Sequence, residues 1–260
     1  MAAADSSRLG GLRLVDPQDG DGWTHLRVPA TAPAPLPRAL GPLEVEVAGA
    51  GRTWSLAGWL EATHGTALLV VRDGTVVHEW YADDVAATSR LLGASMTKSA
   101  LAHLVGVAVR AGALSLDDPV TDHVAELKGT GYDGCTVRHV LTMTTGVDWV
   151  EDHRDPSGPA TWLVGAFATG TGRSRELLTE IGPADPPGTR FEYSTADSQV
   201  LDWVRERATG STYPEALGEL WRALGCTDDA LVALDAPDGV AMAGGGLAAS
   251  AGDWARVAML

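Results

Sequence analysis

Two side chains stand out for their chemistry, Ser95 and Lys98, in the run Gly93-Ala94-Ser95-Met96-Thr97-Lys98-Ser99. The chain carries 19 Lys+Arg in 260 residues, yet only Lys98 and Lys128 are lysines. Residues three apart share a helix face, so the lysine amine can reach the serine hydroxyl. A serine is a weak nucleophile until a base within hydrogen-bond reach takes its proton. Ser-x-x-Lys is one of the few local arrangements that supplies such a base. The same four-residue pattern also occurs in helices without chemistry, so its surroundings decide its meaning.

From Ser99 to Ala111 the sequence SALAHLVGVAVRA is apolar on nearly every side, which predicts a buried helix stopped by Gly112. Ser95 is expected in its first turn, where free N–H groups and the helix dipole favour a developing oxyanion. Lys98 would enter surroundings that favour an uncharged amine, the form that acts as a base, rather than snorkel to water. Downstream, PPGTRFEYST leads into ADSQVLDWVRERATG, with apolar residues at Val200, Leu201, Val204 and Ala208 and a stop at Gly210. Tyr193, one of four tyrosines, is therefore expected on a turn just before a helix.

With these motifs the chain resembles the serine β-lactamase-like, penicillin-recognising hydrolases. That family includes class C β-lactamases, D-alanyl-D-alanine carboxypeptidases, esterases and, most similar here, the 6-aminohexanoate-dimer hydrolases. Its nucleophile motif looks like Ser95-Met96-Thr97-Lys98, and its Tyr-x-Asn motif looks like Tyr193-Ser194-Thr195. The likeness runs in order from about residue 65 to 260, through GALSLDDPVTDHVAEL, GYDGCTVRHVLTMTTGVDW, EDHRDP and the glycine turn of AGGGLAAS. The resemblance implies a serine hydrolase that cleaves an amide or ester through an acyl-enzyme. Ser95 would be the nucleophile, Lys98 and Tyr193 the base system, and Thr195, Trp149, His153, Gly244 and Gly245 the substrate-binding set. The rival reading is a truncated, inactive relative or an acyl- or peptide-binding module.

Four departures accompany the resemblance. Thr195 replaces the usual Asn or Ser; His153 stands where the nylon-oligomer hydrolases carry a pocket tyrosine; and Gly244 stands where they carry an asparagine. The family also continues into strands bearing a third motif (Lys or His, then Thr, Ser or Gly, then Gly), whereas this sequence stops at Met259-Leu260 inside an apolar helical stretch. A C-terminally incomplete domain is therefore expected, with an under-paired sheet, a tendency to aggregate and little hydrolysis.

Composition fits a globular protein: 45% of the residues are hydrophobic, enough for a sizeable core. A net charge of −15 argues against nucleic acid and anionic membrane surfaces as partners. Cys135 and Cys226 lie far apart and are expected as free thiols, with an intramolecular disulfide as the alternative. No signal-peptide pattern opens the sequence and no apolar run reaches membrane-spanning length, so a cytoplasmic protein acting on a small molecule is expected. Nothing specifies an oligomeric state. No cofactor is implied, and the seven histidines lack zinc-site company.

Gly93-Ala94-Ser95-Met96-Thr97 misses G-x-S-x-G at its last position, which disfavours an α/β-hydrolase elbow. Glu151-Asp152-His153-Arg154-Asp155 reads as a solvated loop at a pocket rim, and Gly244-Gly245-Gly246 as a close-packed turn rather than a phosphate loop. Residues 1–42 read as an extended, proline-rich leader. Residues 43–118 and 235–260 read as an incomplete α/β (α+β) domain of β-lactamase/transpeptidase type, with an antiparallel sheet flanked by helices. Residues 119–234 read as an all-α insertion. A hairpin around Asp73-Gly74 and a short helix in WSLAGWLEAT complete the outline.

Overall fold

The computed structural model describes residues 8–9, 12–17 and 23–260. Its strands are β1 (Arg8–Leu9), β2 (Leu12–Arg13), β3 (Thr24–Val28), β4 (Glu46–Gly49), β5 (Arg52–Ser55), β6 (Ala67–Arg72), β7 (Thr75–Tyr81), β8 (Leu91–Leu92), β9 (Ala230–Leu234) and β10 (Leu247–Ala249). The helices are α1 (Leu56–Ala62), α2 (Thr97–Arg110), α3 (Val120–His123), α4 (Val137–Leu141), α5 (Pro159–Ala168), α6 (Ser174–Thr179), α7 (Thr195–Thr209), α8 (Tyr213–Leu224) and α9 (Ala251–Ala258).

The central sheet has strand order β3-β9-β10-β8 and every pairing is antiparallel. The fold is thus the expected mixture of antiparallel sheet and flanking helices. The β6–β7 hairpin stands as a separate two-stranded ladder. Its turn places Asp73 at φ +49° and Gly74 at φ +74°, the two left-handed residues of a type I′ turn, which matches the twist of the strands it joins.

Two stretches differ from the sequence-based outline. Thr24–Val28, inside the expected leader, pairs with β9 over its whole length, from Thr24 opposite Leu234 to Val28 opposite Ala230. Trp23 beside it is 4% exposed. The proline-rich stretch that follows masked this strand, which alternates weakly and carries Arg27 and His25. Ala230–Leu234, placed at the end of the helical insertion, is a central strand of the same sheet, because its short apolar run fits either element until pairing decides.

The core lies between the sheet and a layer in which α7 is central. Val200, Leu201 and Val204 of α7, Leu101, Leu104 and Val105 of α2, Val137 and Val140 of α4, and Leu217 and Trp221 of α8 belong to one buried cluster. Burial at these positions stabilises the domain at about 25 cal/mol per Å² of apolar surface removed from water. The α2 helix is less enclosed than its sequence predicts: Ala102, Gly106 and Val107 face solvent. It ends as expected, with Ala111 as cap and Gly112 at φ +72°. Cys135 and Cys226 are both free and buried, and burial pushes the Cys135 thiol up to about 12 and raises the Cys226 thiol as well.

Candidate active site

Ser95 sits on a single 3-10 turn, Ala94–Met96, between β8 and α2, one step before the helix rather than within its first turn. The approach is tightly held. The Gly93 N–H donates to Leu247 O at 2.8 Å, and the Leu247 N–H donates to Thr97 Oγ1 at 3.1 Å, so strand β10 clamps both sides of the serine. Ala94 takes φ +42°, a left-handed conformation that costs a non-glycine residue free energy and is sustained by those flanking bonds. Lys98 follows in the first turn of α2, partly buried.

Tyr193 lies on the turn before α7, as expected. The Glu192 N–H donates to Met143 O at 3.0 Å, fixing the loop, and Ser194 caps the helix by accepting the Asp197 N–H at 3.0 Å. Thr195 is the first residue of α7. Packing of α2 against α7 then brings the three groups together across 98 residues of sequence. The Tyr193 hydroxyl donates to Ser95 Oγ at 2.7 Å, and Lys98 Nζ donates to the same oxygen at 3.2 Å. Lys98 also donates to Thr195 Oγ1 at 3.2 Å and to Gly244 O at 2.7 Å, and lies 5.0 Å from the Tyr193 ring centroid. Three donors meet three acceptors, which is the full capacity of an ammonium.

Gly244 contributes through its backbone. Its N–H donates to Gln199 Oε1 at 3.0 Å, and Gln199 Nε2 donates to Ala241 O at 3.0 Å, so one α7 side chain pins both ends of the turn. A Cβ at residue 244 would meet Thr195 Cγ2 at 2.8 Å, which explains the glycine by close approach. This is the close-packed turn that the sequence suggests.

Ser95 opens onto a cavity of about 330 Å³ whose lining includes Thr195, Gly244, Gly245 and His153 together with apolar Trp23, Leu92, Val164 and Met242. Trp149 is not on that wall. It is buried, lines a neighbouring cavity with exposed Trp162, and its indole N–H donates to Glu151 Oε2 at 2.7 Å. Of the residues expected to bind substrate, Thr195, His153, Gly244 and Gly245 are thus brought together, whereas Trp149 supports Glu151 from behind.

Glu151 is the site residue that the sequence obscured. Its loop reads as solvated, yet its side chain is 13% exposed and its carboxylate accepts both the backbone N–H (2.9 Å) and the hydroxyl of Thr195. The surrounding Asp152, Arg154 and Asp155 are charged and exposed or nearly so, and they hid the one residue that turns inward. Beneath Tyr193, buried Asp197 accepts hydroxyl hydrogen bonds from Tyr132 (3.0 Å), Thr145 (3.0 Å) and Ser194 (3.1 Å). Burial still outweighs these donors and pushes the Asp197 carboxyl up to about 7. Among the described residues, no group of three or more His, Cys, Asp or Glu is arranged to hold a metal ion, and no helix is long and apolar enough to cross a membrane.

Comparison with known proteins bears on the fold and the family. A solved Bacillus anthracis protein assigned as a 6-aminohexanoate-dimer hydrolase superposes with a TM-score of 0.81 at 21% identity, over 91% of this chain and 65% of its own. A class C beta-lactamase superposes with a TM-score of 0.56 at 19% identity, over 77% of this chain and 60% of its own. Both likenesses are of fold. In sequence, the 6-aminohexanoate-dimer hydrolase of Paenarthrobacter ureafaciens is 36% identical over 205 residues, which cover 76% of this chain and 52% of that protein. The chain thus spans about half the length of that relative. The Beta-lactamase family model matches residues 59–260. With the family model covering most of its length, the chain belongs to the beta-lactamase family of hydrolases.

Proposed function

We propose that the protein is a serine hydrolase that cleaves a small amide or ester through an acyl-enzyme. The observation that carries this reading is the convergence of Tyr193 Oη and Lys98 Nζ on Ser95 Oγ, at 2.7 and 3.2 Å, beside an open cavity. In the reaction, Ser95 Oγ attacks the substrate carbonyl while its proton passes to the Lys98–Tyr193 pair. That pair returns the proton to the leaving alkoxide or amine, and water then releases the acyl group. The Ser95 N–H, near the start of α2, is suited to stabilise the oxyanion.

The cavity's apolar wall suits a short acyl chain, and besides Ser95 its polar side chains are few: Thr161, Thr195 and His153. Of these, Thr161 and Thr195 are already hydrogen-bonded within the protein. Such a site gives a linear amide dimer little to pair with, so small esters are the better substrates in this reading. A fluorophosphonate probe tests the nucleophile: it should label Ser95, and Ser95→Ala should abolish labelling. Label retained in the alanine variant would remove Ser95 from the mechanism.

A further inference from the structure

Glu151 touches neither the nucleophile nor the base, but it controls which way a proton points. Its Oε2 accepts from two obligate donors, the Thr195 backbone N–H at 2.9 Å and the Trp149 indole N–H at 2.7 Å. Its Oε1 accepts the Thr195 hydroxyl and lies 3.2 Å from His153 Nε2. A carboxylate only accepts, so the Thr195 proton is committed to Glu151 and Thr195 Oγ1 is left to accept from Lys98. Gly244 O is likewise an acceptor only.

An uncharged Lys98 has two N–H bonds and one lone pair. Its three neighbours are two fixed acceptors, Thr195 Oγ1 at 3.2 Å and Gly244 O at 2.7 Å, and the Ser95 hydroxyl at 3.2 Å, which takes either role. The protons go to the fixed acceptors and the lone pair falls on Ser95. We propose that Glu151 is a positioning residue that, by holding the Thr195 proton, aims the Lys98 lone pair at Ser95 Oγ. In the acylation step that this serves, Ser95 Oγ bonds to the acyl carbon as its proton moves to Lys98 Nζ, and the leaving group departs with a proton delivered through Tyr193. The inference rests on the acyl-transfer reading of Ser95.

Glutamine at position 151 reverses the direction. The two N–H donors pin its carbonyl oxygen where Oε2 was, so its amide NH₂ faces Thr195 Oγ1 as a donor. The Thr195 proton must then turn toward Lys98 and occupy the lone pair. With a p-nitrophenyl ester in single-turnover experiments, Glu151→Gln should slow acylation about 10²-fold at unchanged KM, within the range of general-base effects. Thr195→Val should slow acylation to a similar extent, and the double variant should acylate no more slowly than either single one. Losses that multiply would overturn the proposal.

A readout that needs no turnover comes from the lysine count. With ¹⁵N-lysine labelling, only Lys98 and Lys128 give side-chain signals, and Lys98→Arg assigns them. In its protonated form Lys98 donates to Thr195 Oγ1 only while the Thr195 proton points to Glu151. Solvent exchange of the ammonium protons should therefore quicken severalfold in Glu151→Gln and in Thr195→Val, and no further in the double variant. Unchanged exchange in Glu151→Gln would sink the proposal whether or not esters are cleaved. A wild-type protein that fails to acylate would instead remove the acyl-transfer reading and leave the amine measurement to decide the role of Glu151.

Discussion

Around Ser95, each supporting element is tied to a distant part of the chain, whereas the β6–β7 hairpin is held mainly by itself. The site draws on β8, the first turn of α2, the start of α7 and the Gly244 turn, with Gln199 and Thr97 bonding backbone up to 150 residues away. The hairpin has its own ladder, a register irregularity between Val70 and Val71, contacts with α9, and a few bonds from the Pro37–Gly41 segment, such as the Ala39 N–H to Val76 O at 2.9 Å. Most hairpin residues are only partly buried, and Val76 alone is fully so. Two-stranded ladders are marginal in water unless something packs on them. The difference teaches that reactive geometry and local stability are separable here: the site should fail through single atoms, the hairpin through small increments.

The largest break should come at the amine. Lys98→Arg keeps a cation that donates to the same acceptors but cannot act as a base at working pH, so ester acylation should fall ~10³-fold, toward the upper part of the general-base range. Acylation at near wild-type rate would mean that the charge, and not the lone pair, matters. Next is Gly244→Ala. Its new Cβ, 2.8 Å from Thr195 Cγ2 and 3.3 Å from Ser198 Cβ, forces the turn and α7 apart, which should cost ~1–3 kcal/mol in denaturant unfolding and lower acylation as well. An unchanged unfolding midpoint would show that the turn yields freely.

A pH test bears on the floor of the site. The Asp197 carboxyl is raised in the folded state, to about 7, so folding favours its protonated form. Its contribution is fully present below the unfolded value near 3.8 and falls as pH rises toward 7, after which it is flat. The difference in stability between Asp197→Asn and wild type should therefore shift in the variant's favour between pH 4 and 7. A difference that is constant with pH would contradict this. The smallest effect belongs to the hairpin: Gly74→Ala, at φ +74° with open space around it, should cost ~1 kcal/mol and leave acylation of the folded protein intact. A loss of acylation would tie the hairpin to the site.

The sequence made the meeting of Ser95, Lys98 and Tyr193 legible because Ser95 and Lys98 are local neighbours and Tyr193 precedes a helix with clear stop signals. It did not make α7 legible as the most enclosed helix. Thr195 through Arg205 are all buried, among them Asp197, Ser198, Gln199, Asp202 and Arg205, a composition that usually marks a solvated surface. Each is tolerated through a partner far off in sequence or along the helix, as in the Asp202–Arg205 pair at 2.8 Å or Gln199 on the Gly244 turn. Such partners exist only once the chain has folded. The same holds for Glu151, whose meaning depends on Thr195, 44 residues away. The β3 strand was hidden for another reason: an edge strand with few apolar residues is defined by the ladder it joins.

The two buried thiols give the molecule a pair of built-in clocks. Cys135 donates toward Thr145 O, next to the hydroxyl that holds Asp197, while Cys226 lies at the α8–β9 connection beside Asp253. A thiol that stays protonated and enclosed reacts with an alkylating reagent only when its surroundings open. Alkylation at Cys135 therefore times the loosening of the floor under Tyr193, and alkylation at Cys226 times the release of the sheet from its helices. Slow and equal rates at both would describe a single cooperative unit. A faster Cys135 would mean that the reactive corner breathes on its own while the sheet stays closed.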